Sequence, residues 1–246
     1  MISQVTTPAQ QEKFREMVRD RICLEPMMET ALNLFGEKPA AGFQFFLSRE
    51  GALMIQGSLA TAAGKFDPEE LDSFLGFLGI SRLMGEKLCL PGWEKKETLT
   101  ACRGMGPALE EPPAGTRLIT RPSLMEFSRL VLEGKSSEEQ ENFYAQSCIR
   151  VNHNMGRCWA LTLEERLVCG VSVSGMTDQW AYLTQGYTRP EFRGQGLGGW
   201  LIAALGNWMM QEGKTPCLLC LPPRKAFYKR LGMTVEKEYY LYNKRE

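Results

Sequence analysis

The sequence contains no apolar run approaching the roughly 18–20 residues that span a bilayer, so no membrane-spanning helix is expected. Its first residues, Met1-Ile2-Ser3-Gln4-Val5, lack the basic and then apolar pattern of a signal region. An excess of one charge is missing too. Lysine plus arginine number 29 and aspartate plus glutamate 29, so no strong field recruits nucleic acid or an acidic membrane. Histidine is nearly absent, and His153, the single one, sits in a polar Asn152-His153-Asn154 turn that reads as a loop. Of the eight cysteines, Cys23, Cys89, Cys102, Cys148, Cys158 and Cys169 stand singly. Cys217-x-x-Cys220 is the one CxxC, and no second pair completes a zinc site. On a strand, residues three apart also face opposite ways. No metal is expected, and the thiols are expected buried or free in a reducing cytoplasm.

What is present suits two compact units: 246 residues, 43% of them hydrophobic. The clearest linker, residues 104–115, combines Gly104, Gly106, Pro107, Pro112, Pro113 and Gly115. It divides an α/β unit over 1–103 from a second over 116–246. In the first, Ala9 to Phe35 reads as helix interrupted near Glu25-Pro26. A hairpin follows over Gly42–Ser48 and Ala52–Ser58, then a possible third strand over Leu59–Ala63. Asp67-Pro68-Glu69-Glu70 is a strong helix start. Strands near Ile80–Met84 and Lys96–Arg103 complete this half.

The second unit opens with a strand at Arg117–Thr120 and two capping boxes, at Ser123 and at Ser137-Glu138-Glu139-Gln140. Strands Arg157–Leu163, Leu167–Ser174 and Gln179–Thr188 follow. Then comes the stretch on which the reading turns: Arg193-Gly194-Gln195-Gly196-Leu197-Gly198-Gly199, between that last strand and a helix over about Gly198–Glu212. A glycine-rich turn entering a helix leaves backbone N–H groups free at the positive end of the dipole, a ready anion site.

Three nucleotide signatures compete here. Gly194-x-Gly196-x-x-Gly199 matches the dinucleotide fingerprint literally, but the next strand, Pro216–Leu221, offers no carboxylate and too little chain remains for further βαβ units. Gly213-Lys214-Thr215 has the ending of a P-loop, yet Trp208 holds the place of its first glycine and the segment leaves a helix. The third reading holds. Arg193-x-x-Gly196-x-Gly198 resembles the acyl-CoA pyrophosphate loop of the GNAT superfamily of N-acyltransferases, and Ala226-Phe227-Tyr228-Lys229-Arg230-Leu231-Gly232-Met233 resembles the family's next helix. The resemblance covers roughly Thr116 to Tyr242, in the family's order β-α-α-β-β-β-α-β-α-β. Leu221-Pro222-Pro223 stands where the family often has an asparagine.

The resemblance implies an α/β fold with a mixed sheet, and an acetyl-CoA-dependent N-acetyltransferase working by direct transfer in a ternary complex. Arg193, Gly194, Gln195, Gly196, Leu197 and Gly198 would hold the pyrophosphate. Gly186 suggests a bulge in its strand, and by resemblance Gly186, Tyr187 and Thr188 would line the pantetheine arm. Tyr228 would protonate the departing thiolate. The acceptor is expected to be a small-molecule or peptide amine, with no nucleic acid and no membrane involved. The general base is not legible: Asp178 and Glu191 lie near, and a water chain through Gln185 or Thr184 is an alternative. A CoA-binding module without catalysis is the other reading.

The halves show a faint repeat. Phe45–Leu53 parallels Trp159–Leu167, each preceding a strand and a helix. Either the first half is a degenerate GNAT-like copy or it is an unrelated α/β domain. If a copy, it should not bind CoA, because Asp67-Pro68 stands where the second half has glycines.

Overall fold

The computed structural model of the chain describes residues 1–37, 42–107 and 111–245. Two compact units result. One is Met1–Cys102 with Leu219–Ala226 and Val235–Glu246; the other is Arg103–Leu218 with Phe227–Thr234.

In the first unit, β1 (Ser3–Gln4) precedes α1 (Pro8–Val18) and α2 (Leu24–Phe35). The expected interruption near Glu25-Pro26 falls earlier, at Arg19–Cys23. Cys23 takes φ 66°, and Pro26 sits in the first turn of α2, where its missing N–H has no intrahelical role. β2 (Phe43–Leu47) and β3 (Glu50–Gln56) form the expected hairpin, and β4 (Leu59–Lys65) extends it as a third antiparallel strand. Asp67 caps α3 (Pro68–Phe77), accepting from the Glu70 N–H at 2.9 Å. β5 (Arg82–Gly85) then pairs parallel with β4, and β6 (Trp93–Arg103) follows. Leu53, Leu71, Leu75 and Leu83 are fully buried in the core.

The second unit runs β7 (Thr116–Ile119), α4 (Leu124–Val131), α5 (Ser137–Asn152), β8 (Arg157–Leu163), β9 (Arg166–Met176), β10 (Trp180–Thr188), α6 (Leu197–Gln211), β11 (Thr215–Cys220) and α7 (Lys225–Arg230). Its strand order is β11-β10-β9-β8-β7, antiparallel except for parallel β10 and β11. The second capping box lies one residue earlier than expected. Ser136 is the N-cap, its hydroxyl taking the Glu139 N–H while the Glu139 carboxylate takes the Ser136 N–H. Phe127, Leu130 and Ala160 form the core between α4 and the sheet.

Two features depart from a simple split of the chain at 104–115. The final strand, β12 (Thr234–Lys244), pairs antiparallel with β5, and buried Tyr239 donates to the Ile22 carbonyl at 2.8 Å, so residues from 235 on belong to the first unit. The linker residues before the undescribed part are not a free tether. Gly104 N–H donates to Pro216 O at 2.9 Å and Gly106 N–H to Leu231 O at 2.8 Å. Gly232 permits that approach: a Cβ on it would stand 2.5 Å from the Gly106 backbone, and its φ is +80°. Residues 108–110 of the linker lie outside the described residues.

Candidate active site

The site is built where β10 hands over to α6. Between Thr184, opposite Ser172, and Tyr187, opposite Gly170, β10 carries two residues against one on β9. This is the bulge expected at Gly186, and Gln185 takes φ 52° in it. On the other side, β11 accompanies β10 over Trp180, Ala181 and Tyr182 and then pairs with it no further. The β11-facing backbone edge of Leu183–Thr188 is thereby bared. Strand propensities carry no trace of this parting.

After Thr188 the chain makes one short turn, Pro190–Phe192, and reaches the glycines. Gly194 and Gly196 both take φ +79°, which an L-residue adopts only at a cost of about 1–2 kcal/mol. Gly198 is needed for another reason, since a Cβ there would stand 3.0 Å from Thr188 Oγ1. Gly194, Gln195 and Gly196 are exposed, and their amides have no hydrogen-bond partner among the described residues. Gly196 is the N-cap of α6 with no side chain to cap it, and the first turn holds no acid. The amides of Leu197 and Gly198 are therefore open to a ligand as well, at the positive end of a 15-residue helix. Leu197 anchors that end, its side chain buried.

Arg193 is the fixed charge beside the turn. Its Nε donates to Thr188 O at 3.0 Å, and its guanidinium lies 5.7 Å from the centre of the Tyr187 ring. The turn opens on a cleft of about 700 Å³ bounded by Gln195, Gly196, Gly199 and Trp200 on one side and Phe227 and Arg230 on the other. Tyr228 follows Phe227 on α7, half-buried, its ring edge-on to Phe227 at 5.0 Å. Its carbonyl accepts from Leu231 and Met233, and Phe227 rather than Tyr228 lines the cleft.

Sequence reasoning missed Glu133. This residue, just past α4, accepts from the Tyr187 hydroxyl at 2.6 Å and also pairs with Arg189. Arg189 Nε in turn donates to Leu167 O at 2.9 Å. The cluster ties the end of α4 to the end of β10. No local pattern announces it, because its members are far apart in the chain. The Tyr187 hydrogen bond, helped by Arg189, holds the Glu133 carboxyl below the usual glutamate range, while Glu133 pushes the Tyr187 phenol up. Of the bases considered, Glu191 is engaged with Arg166 at 3.2 Å. Thr184 Oγ1 lies 3.0 Å from Ser172 Oγ, a hydroxyl pair at the bulge.

A pH test of this cluster follows. Because the folded Glu133 pKa is depressed, its stabilisation is complete above about pH 4.3, the ordinary glutamate value, and is lost as pH falls through the lower folded value. The carboxylate is partly exposed, so solvent screening keeps the effect small. Glu133→Gln should lower the melting temperature by about 1–2 °C at neutral pH and by less as the solution is acidified. A difference independent of pH would show that the ion pair is not what the substitution removes.

The first unit repeats the scheme of strand, helix and parallel strand with β4, α3 and β5, pairing from Leu59–Arg82 to Ala62–Gly85. The Asp67 carboxylate there occupies the place an anion would take at the helix start.

The model of the acetyltransferase (GNAT) family matches residues 122–233. Over the whole chain, the fold is similar to a tandem GNAT protein from the clavulanic acid biosynthesis pathway, 16% identical, with 98% of each chain covered and a TM-score of 0.63. It is also similar to a GCN5-related N-acetyltransferase from Sphaerobacter thermophilus, 12% identical, covering 99% of this chain and 95% of that one at 0.63. A third, from Kribbella flavida, is 15% identical, with 88% and 95% covered and a TM-score of 0.58. No curated protein matches the sequence significantly. The mixed α/β, GNAT-like fold implied by the sequence resemblance is the fold observed, and over the whole chain it is similar to that of a tandem GNAT protein.

Proposed function

We propose, from the premise that residues 122–233 belong to the GNAT family of acetyltransferases, that the second unit transfers an acetyl group from acetyl-CoA to a primary amine. The observation that carries this reading is the exposed glycine turn, its amides unpartnered among the described residues, opening on a cleft at the start of α6. A diphosphate suits the amides of Gly194 through Gly198, with Arg193 as a neighbouring positive charge. The bared edge of Leu183–Thr188 suits the amide groups of a pantetheine arm. Backbone N–H groups near Gly186, Tyr187 and Thr188 would stabilise negative charge developing on the thioester oxygen. In a direct transfer the new C–N bond forms and the C–S bond breaks, with Tyr228 giving a proton to the departing sulfur. The ammonium proton would leave through water, with the Ser172–Thr184 hydroxyl pair as its first contact.

The acceptor proposed is a small-molecule or peptide amine, not nucleic acid and not a membrane, since the charges balance at 29 of each sign. The location proposed is the cytoplasm. Among the described residues no helix is long and apolar enough to cross a membrane. The first unit is not proposed to bind CoA, because Asp67 already takes the amides at its helix start.

A melting comparison of the full chain with CoA and with NAD tests the reading. CoA at about 100 times its Kd should contribute roughly 2.7 kcal/mol of stability, and NAD none. No shift with CoA would sink the assignment. A shift with CoA but no thiol release from acetyl-CoA across a broad amine panel would leave a CoA-binding module for regulation or assembly.

A further inference from the structure

The unit with the glycine turn contains a second cavity that acyl transfer does not use. It measures about 650 Å³ and is bounded by the β7–α4 turn, the end of α5, the start of β8 and the later part of α6. Strand lengths create it. β7 ends at Ile119, opposite Ala160, so it leaves Arg157–Trp159 of β8 uncovered on that side. The cavity is remote from the turn, since Trp208 follows Leu197 by eleven residues, roughly 16 Å along the helix at 1.5 Å per residue.

Its lining has charge of one sign. Arg121 and Arg157 bring guanidinium groups, Asn152 and Asn154 carboxamides, Trp159 and Trp208 indoles, and among the described residues no carboxylate lines it. Arg157 gives one N–H to the Gly156 carbonyl at 2.7 Å and lies 5.6 Å from the Trp208 ring centre. Neither arginine meets a carboxylate among the described residues. The two indoles stand 5.6 Å apart, inclined by 42°. Trp208, on α6, forms a wall of this cavity.

We propose that this cavity binds a small aromatic acid, its carboxylate held by Arg157 and Arg121 and its ring lying against Trp159 and Trp208. Guanidinium groups without a counter-charge gain most from a carboxylate, which matches the arginine fork in two places. The two inclined indoles offer apolar aromatic surface against which a ring packs without ordering a flexible side chain. The asparagine amides can meet one further polar group. A protonated amine would find only like charge here, so the cavity does not suit the acceptor of the proposed transfer. The inference stands independently of that transfer.

Calorimetric titration of the full chain with 2-naphthoate, and with 2-naphthamide as its uncharged counterpart, tests it. Naphthoate should bind saturably with one molecule per chain, and the amide at least about tenfold more weakly. Arg157→Gln should weaken naphthoate binding at least about tenfold with an unchanged melting curve. Arg121→Gln, at an exposed position, should weaken it in the same direction and guards against misfolding of the first variant. Absence of saturable naphthoate binding, equal binding of the amide, or indifference to both substitutions would each overturn the proposal.

Discussion

Replacing Gly196 by aspartate should weaken CoA binding by at least about a hundredfold, the effect of placing like charges against each other at a cost of several kcal/mol. Gly196 is the N-cap of α6 and is exposed at the mouth of the cleft. A carboxylate there would compete for the amides that a diphosphate needs and repel it at the same place. The protein already contains this arrangement in its first unit, where Asp67 takes the Glu70 N–H at 2.9 Å. The fold should tolerate the change. The left-handed backbone at Gly196 costs an L-residue about 1–2 kcal/mol, and aspartate meets that conformation better than most. A calorimetric CoA titration beside a melting curve gives the answer. Undiminished CoA affinity in a folded variant would mean that the diphosphate does not sit on the α6 amides.

Replacing Tyr228 by phenylalanine should lower kcat about a hundredfold or more, the contribution expected of a positioned general acid. The KM for acetyl-CoA should stay within a few-fold. The substitution keeps the ring, and with it the edge-on contact to Phe227 at 5.0 Å, so binding and folding should be spared while the proposed proton donor is lost. The split between kcat and KM is the informative readout, because loss of packing would move both. An unchanged kcat would remove Tyr228 from the chemistry. That outcome would turn attention to water in the gap left where β11 departs from β10.

The two predictions draw on different depths of the sequence. The glycine turn at Gly194 and Gly196 was legible from the chain alone because each needs only its own φ and the start of the next helix. The bulge at Gly186 was legible for a similar reason, since glycine among strand formers weakens a ladder locally. Tyr228 came from resemblance alone, and the phenol's relation to a bound thioester is not a local property. Where local signals competed, the structure chose between near neighbours. Ser136 rather than Ser137 caps α5, because only from Ser136 does Glu139 stand three residues on and close the reciprocal pair.

By itself, then, the sequence determined what depends on a few consecutive residues. That includes the helix starts at Asp67 and Ser123, the positive-φ glycines, the hairpin of β2 and β3, and the element order that ends in β12. Tertiary structure decided everything that needs residues distant in the chain to meet. It parted β10 from β11 after Tyr182 and bound Glu133 to Tyr187 across 54 residues. It also gave Thr234–Lys244 to the β5 edge and left the flank of Arg157–Trp159 open beside two arginines that meet no carboxylate among the described residues. The physical reason is that capping and turn geometry are fixed by nearest neighbours. Strand pairing and charge pairing are settled only when the whole chain competes for the same edges and the same partners.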